Sequence, residues 1–275
     1  MDNPFDYSSQ RVVVTGGATG VGDALLHLLA ELGGPSVSVL DITAPTGPHE
    51  VFIETDLANE SAVEAAIAGI EGRVDVLFNN AGVAATKPPA TVLAVNYLAL
   101  RRLSEGLLAQ IPPGGAIVNT ASIAGDRWAT HLESINELLA VGDWDASVAW
   151  VDSHVRPGGI LDDAYGFSKE VIRVWGMRHS RTTIATGVRT NSVCPAPVAT
   201  PLLSDFEATM GKGVLDWTVS QGTGTMMTAR EVAMPLAFLG SPAAAFVNGH
   251  DLIVDGGFNA ALTTGQLDFD SFPAS

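Results

Sequence analysis

The side chains best placed to do chemistry are Tyr165 and Lys169, in the run Tyr165-Gly-Phe-Ser-Lys169. Four positions apart on a helix, they share one face. A phenol ionises near pH ~10 and is a poor base at neutrality. A neighbouring ammonium favours the phenolate and lowers that value. Such a pair could exchange a proton with a substrate oxygen near working pH. Taken alone, the spacing more often marks a common surface helix pair. A hydroxyl, Ser122, stands in Asn119-Thr-Ala-Ser-Ile-Ala-Gly125, just past a β-type run.

A second constellation lies near the N-terminus. Thr15-Gly-Gly-Ala-Thr-Gly-Val-Gly22 puts Gly16, Gly20 and Gly22 between a strand pattern and a helix pattern. Glycines there let the backbone turn sharply and approach a pyrophosphate at a helix N-terminus, where free N–H groups bind the anion. Asp41 ends the next strand pattern, 19 residues after Gly22. An acid at that place accepts hydrogen bonds from adenosine ribose hydroxyls and repels a 2′-phosphate. No Arg or Lys occurs between Ile42 and Thr55, so the pattern favours NAD over NADP. Asp41 as a plain loop acid is the alternative. Asp56-Leu57 and Asn79-Asn80-Ala81-Gly82 follow the third and fourth strand patterns. Asp56 could hold an adenine amino group, and small Ala81 and Gly82 allow backbone contact with a cofactor. Alone, the second stretch would read as a tight turn.

These residues need elements to hold them. Strand patterns cover Arg11–Thr15, Ser36–Leu40, Val51–Glu54, Val74–Phe78, Ala116–Thr120, Val188–Val193 and Asp251–Val254. Helical patterns cover Gly20–Leu32, Asn59–Ile70, Thr91–Gln110, Ala164–Ser180 and Ala229–Leu239. Strands separated by helices cannot be joined by hairpins. The expectation is an α/β fold: a doubly wound parallel sheet of seven strands, helices on both faces, in one domain spanning 1–275. One irregular region, about 126–163, carries Trp128, Trp144 and Trp150 and reads as an insertion lying over the sheet. Its tryptophans are either packing or a substrate wall.

Composition narrows the partners. Hydrophobic residues make up 47% of the 275 and charged residues 16%, which excludes intrinsic disorder. Acids outnumber bases 30 to 14, and a net charge of −16 opposes nucleic acid and anionic membrane surfaces. The single cysteine, Cys194, allows no intrachain disulfide and reads as a small buried residue. The six histidines show no metal-ligand spacing, so no metal is expected. The N-terminus lacks the charged and apolar regions of a signal peptide, and no apolar run approaches membrane-spanning length, so a cytoplasmic protein is expected.

In order along the chain, T-G-x-x-x-G-x-G, N-N-A-G, Asn96 in Val-Asn-Tyr, Ser122 and Tyr-x-x-x-Lys resemble the short-chain dehydrogenase/reductase family. The resemblance runs from about Val12 to Gly257. It implies Tyr165 as general acid/base, Lys169 as its partner and a ligand of the nicotinamide ribose, and Ser122 as the residue orienting the substrate oxygen. It implies that Asn96 holds a water linking Lys169 to solvent. It adds Thr19, Val21, Leu57, Pro195, Val198 and Thr200 to the cofactor contacts, and a homodimer or homotetramer. Two departures stand out. Ala196 replaces the usual glycine of P-G-x-V-x-T. Ser122 and Tyr165 are 43 positions apart, an unusually long gap. In that gap, and around Val92–Tyr97, Ala199–Leu203 and Ala237–Gly257, the chain resembles bacterial 3α-hydroxysteroid dehydrogenase/carbonyl reductase enzymes.

The expected activity is NAD(H)-dependent interconversion of a secondary alcohol and a ketone on a bulky apolar skeleton. The segment about 200–228, with Leu202, Leu203, Phe206, Met210, Trp217, Met226 and Met227, would close over it. Burying about 200 Å² of apolar substrate would contribute ~5 kcal/mol before losses. A catalytically silent NAD-binding sensor is the alternative, and would tend to lose Tyr165 or Lys169.

Overall fold

The computed structural model describes residues 3–268. The chain begins with β1 (Arg11–Thr15), α1 (Gly20–Glu31), β2 (Ser36–Asp41), β3 (Val51–Glu54), α2 (Glu60–Gly69) and β4 (Val76–Asn79). A long helix follows in three parts: α3 (Pro89–Leu93), a π-helical turn (Ala94–Leu98) and α4 (Ala99–Leu107). Next come β5 (Ala116–Thr120), a 3₁₀ segment (Ile123–Ala129), α5 (Leu132–Ala140), α6 (Trp144–His154), α7 (Ala164–Thr182) and β6 (Arg189–Pro195). The remainder is β7 (Val198–Ala199), α8 (Leu203–Met210), α9 (Lys212–Gln221), β8 (Met227–Thr228), α10 (Ala229–Gly240), β9 (Asp251–Val254) and α11 (Phe258–Thr263).

Seven strands form one parallel sheet in the order β3-β2-β1-β4-β5-β6-β9. The chain winds outward from β1 to β3, returns beside β1, and winds the other way. The direction reverses between β1 and β4, so a crevice opens at their carboxyl ends. This is the expected doubly wound architecture.

Side-chain alternation splits the core between the two faces. Val12 and Val14 pack with Leu25, Leu29 and Leu236 under α1 and α10, and Val13 packs with Val63, Leu103 and Leu107 under α2 and α4. Each fully buried leucine contributes roughly 2 kcal/mol. Every residue of β4 and β6 is buried, as interior parallel strands require.

Three expectations need correction. The fourth strand is Val76–Asn79, because Val74 only caps its approach by donating to Gln110 O. The sixth extends to Pro195, since Cys194 and Pro195 pair with Ile253 and Val254 of β9. The insertion rests on the helix layer and not on the sheet: α5 packs on α7 and α6 on α3. Arg101 of α4 helps to pin it, donating to the carbonyls of Leu139 and Val141 at the end of α5. Among the described residues, no helix is long and apolar enough to cross a membrane.

Candidate active site

The crevice at the β1/β4 reversal continues into a cleft of about 870 Å³. Of the residues singled out in the sequence, Gly16, Thr19, Gly20, Val21, Asp41, Asp56, Leu57 and Asn80 line one end. Ser122, Tyr165, Lys169, Pro195, Val198 and Thr200 line the other, with Ala81 and Gly82 between, Gly82 beside Lys169 Nζ. Gly22 and Asn96 sit behind the wall.

The first end is shaped like an anion cradle. A Cβ on Gly16 would stand 2.7 Å from Ala81 Cα, and one on Gly22 would run into the Gly16 carbonyl. The turn therefore closes this tightly only as glycine. Asn80 holds it, donating from Nδ2 to the carbonyls of Thr15 and Gly16, while Thr15 Oγ1 accepts from Asn80 N and Ala81 N. The start of α1 is left open. Asn59, Asp143, Asp163 and Thr228 cap α2, α6, α7 and α10 with their side chains, but Thr19 makes no such bond. Free N–H groups at a helix N-terminus are what a pyrophosphate binds.

Asp41 lies at the tip of β2, its oxygens accepting from Ala18 N at 2.9 Å and Thr43 N at 3.1 Å. Among the described residues it makes no ion pair with a base. Asp56 Oδ1 accepts from Ala58 N and opens the turn after β3. These donors and acceptors fit a dinucleotide laid from Asp41 across the glycine turn.

At the second end, β5 delivers Ser122 and α7 delivers Tyr165 and Lys169. Asp163 caps α7 by accepting from Tyr165 N at 3.0 Å, which fixes the helix start beneath the phenol. Lys169 is buried, donates from Nζ to Thr120 O at 2.9 Å, and stands 5.5 Å from the Tyr165 ring centre. Burial lowers its pKa to about 8. The Tyr165 phenol is pushed up, chiefly by burial, while a hydrogen bond with Ser122 pulls it down. The expected lowering by Lys169 is not what dominates in the free protein. Desolvation wins, and the phenol is held neutral.

Asn96 occupies the π-helical turn, a feature frequent at functional sites. Its Oδ1 accepts from Val83 N at 2.8 Å, and its Nδ2 donates to Val83 O and Ser168 Oγ. Both amide hydrogens are thus committed to holding neighbouring segments. Ala196 causes no strain: it has no positive φ, and its N–H donates to Val254 O.

The wall facing the second end differs from the expectation. Trp128, Trp144 and Trp150 pack against the buried cluster between the insertion and α7, and none of them lines the cleft. Of the insertion, only its start, with Asp126 and Arg127, reaches the cleft. The apolar wall is built by Leu202, Phe206, Met210, Val214, Leu215 and Phe258. Leu203, Trp217, Met226 and Met227 stand outside it, Trp217 because it is buried edge-on against Phe258.

Sequence reasoning missed three features. Asp163 carried a readable signal, an acid directly before a helix. The buried Arg173, bonded to Asp126 and to Asp251, joins the start of the insertion to β9. Phe206 meets Tyr165 edge-on, ring centres 4.8 Å apart. Neither of these last two contacts has a local signature.

Comparison with known proteins agrees with this geometry. The short chain dehydrogenase family model matches residues 10–133, and the model described as enoyl-(acyl carrier protein) reductase matches residues 151–259. Coniferyl-alcohol dehydrogenase of a Pseudomonas species is 32% identical over 252 residues, covering 91% of this chain and 96% of that one. The (−)-isopiperitenol/(−)-carveol dehydrogenase of Mentha piperita is 30% identical, covering 89% of this chain and 91% of that one. The crystal structure of a Pseudomonas 3-alpha-hydroxysteroid dehydrogenase complexed with NADH superposes with a TM-score of 0.79 at 31% identity, covering 94% of this chain and 100% of that one. The chain belongs to the short-chain dehydrogenase/reductase family and is an oxidoreductase.

Proposed function

We propose that this protein interconverts a secondary alcohol and a ketone with NAD(H), on a bulky apolar skeleton of steroid, terpene or aromatic type. The observation that carries the reading is the meeting of Ser122, Tyr165 and Lys169 in a largely apolar cleft that runs on into the cradle ending at Asp41. The nicotinamide, when bound, supplies or accepts the hydride. Gly16, Thr19, Gly20 and Val21 hold the pyrophosphate, and Asp41 accepts from the adenosine ribose. Asp56 and Leu57 border the adenine. Ala81, Gly82, Pro195, Val198 and Thr200 flank the nicotinamide half.

Ser122 donates to the substrate oxygen and orients it. Tyr165, neutral in the free protein, gives its phenolic proton to that oxygen during reduction and takes one back during oxidation. Lys169 places a positive charge on the same helix face and favours the phenolate at the moment it forms. Asn96 keeps the Tyr165 helix seated.

Acidic Asp41 without a neighbouring base favours NAD, and the 3-alpha-hydroxysteroid dehydrogenase structure was obtained with NADH. The apolar wall from α8, α9 and α11 favours a large ring substrate. The names of three relatives point the same way, to coniferyl alcohol, isopiperitenol or carveol, and a hydroxysteroid. A panel of secondary alcohols read by NADH absorbance tests the proposal. The expected result is a much lower KM for steroid or cyclic terpene alcohols than for 2-propanol. Equal efficiency on 2-propanol or lactate would overturn the substrate class.

The insertion covers part of α4 and α7 and leaves the β9 edge of the sheet uncovered. The side chain of Phe246, on the approach to that edge, is fully exposed. We therefore favour a homodimer over a tetramer, and light scattering at micromolar concentration distinguishes the two.

A further inference from the structure

Helix α8 is attached differently from the rest of the cleft wall. None of its residues is buried, whereas α9 is anchored by Leu215, Trp217 and Thr218. Trp217 in turn meets Phe258 of α11, ring centres 5.6 Å apart and nearly perpendicular. Behind α8, β7 and β8 pair in parallel and clamp the base of the segment. Ahead of it, Gly211 sits in the left-handed region with nothing within 4 Å of where a side chain would stand. Segments with few buried contacts open at low free-energy cost. The segment can therefore yield at α8 while α9 stays in place. Its aromatic contact with the catalytic end is Phe206, whose ring lies edge-on to Tyr165 at 61°.

We infer that Phe206 is the specificity residue of this cleft: an aromatic seat on Tyr165 that a substrate with a flat π-face beside its carbinol carbon displaces and then replaces. The inference rests on the oxidoreductase reading and narrows its substrate class to aryl and conjugated carbinols.

The physical argument is one of exchange. A ligand shifts a conformational equilibrium only by its differential affinity for the two states. To reach Tyr165, a substrate must break the Phe206–Tyr165 contact. An aromatic pair contributes about two- to tenfold in equilibrium terms beyond simple area burial. A phenyl or conjugated substrate restores that contribution by presenting its own ring to Phe206. A saturated ring of the same size buries similar apolar area and restores only that. The cleft-lining aromatic residues, among the described residues, are Tyr165, Phe206 and Phe258. Phe258 is held by Trp217 of the anchored α9, so Phe206, on the unburied α8, is the ring placed to make the exchange. The same seat helps to desolvate the phenol, consistent with its upward shift by burial.

The test uses a matched pair, 1-phenylethanol and 1-cyclohexylethanol, with NAD on the full-length protein. The wild type should favour the phenyl compound by about three- to tenfold in kcat/KM, mostly through KM. Phe206→Leu, which keeps apolar bulk and removes the ring, should bring the two within about twofold. An unmoved substrate ratio in Phe206→Leu, with both alcohols oxidised, overturns this inference and leaves the broader reading standing. Failure of the wild type to oxidise either alcohol overturns this inference, while the steroid and terpene panel separately decides the broader reading.

Discussion

The side-chain amide of Asn96 donates to the Ser168 hydroxyl at 2.9 Å, across 72 positions of sequence. Ser168 passes the restraint on, donating to the Tyr165 carbonyl at 2.7 Å. With Asn96 Oδ1 accepting from Val83 N, one side chain ties together the loop after β4, the π-helical turn and the first turn of α7. In the proposed mechanism it acts on the chemistry by position.

Asn96→Ala should therefore lower kcat more than it raises KM. The variant leaves the Val83 N–H and the Ser168 hydroxyl without their partner in a buried place, at a cost of about 1–3 kcal/mol. Loosening α7 against its loop should cost kcat ~10-fold or more. Steady-state kinetics and a urea midpoint check both. A variant with normal kcat would show that α7 is held by other contacts.

Tyr165→Phe keeps the ring and its contact with Phe206 and removes only the phenolic oxygen. The fold and NADH binding should be intact by circular dichroism and fluorescence titration. Activity should fall by ~10² or more. Turnover close to the wild-type level would assign the proton transfer to another group.

The proposed preference for NAD rests on Asp41. Ile42, beside it, is 68% exposed, so an arginine there has room to reach a 2′-phosphate. Asp41→Ser with Ile42→Arg should move the ratio of kcat/KM values from NAD toward NADP. The serine also gives up an acceptor for Ala18 N and Thr43 N, so absolute efficiency should drop with both cofactors. A wild type that uses NADP as well as NAD would remove the premise.

What was legible in the sequence was what local spacing encodes. The glycine turn, Asp41 at a strand tip and the Tyr165–Lys169 pair each depend on a few neighbouring residues and on strand–helix alternation. The cap by Asn59 follows the same rule, and its side chain accepts from Ala62 N. Illegible features depend on distant partners. The end of β6 is set by β9, more than fifty residues later. The tryptophans of the insertion announce burial, but not that α7, and not a substrate, is what they cover. The π-helical turn at Asn96 has no propensity signal, since it answers to Val83 and Ser168. Tyr165 shows the limit most clearly. Sequence spacing gives it a cation as neighbour, whereas its ionisation in the free protein is governed by burial, which spacing does not report.

Burial also makes Lys169 costly, and that cost can be measured. Its pKa falls from 10.5 to about 8 on folding, chiefly by desolvation. The unfolded chain therefore binds this proton more tightly than the native one. Below pH 8 the native state carries a buried charge, at a cost on the order of 3 kcal/mol. Between pH 8 and 10.5 the native lysine is neutral while the unfolded one still binds its proton, so this group's contribution to stability rises with pH. Lys169→Met removes the charge and keeps the apolar stem. It also forfeits the bond to Thr120 O, worth about 1 kcal/mol. The variant should be inactive yet more stable than the wild type at pH 7, by roughly 2 kcal/mol in the cofactor-free protein. Its advantage should shrink steadily as pH rises above 8. Urea midpoints at pH 7 and pH 9.5 measure the difference. A methionine variant less stable at pH 7, or an advantage independent of pH, would show that the native fold solvates the Lys169 ammonium better than its burial implies.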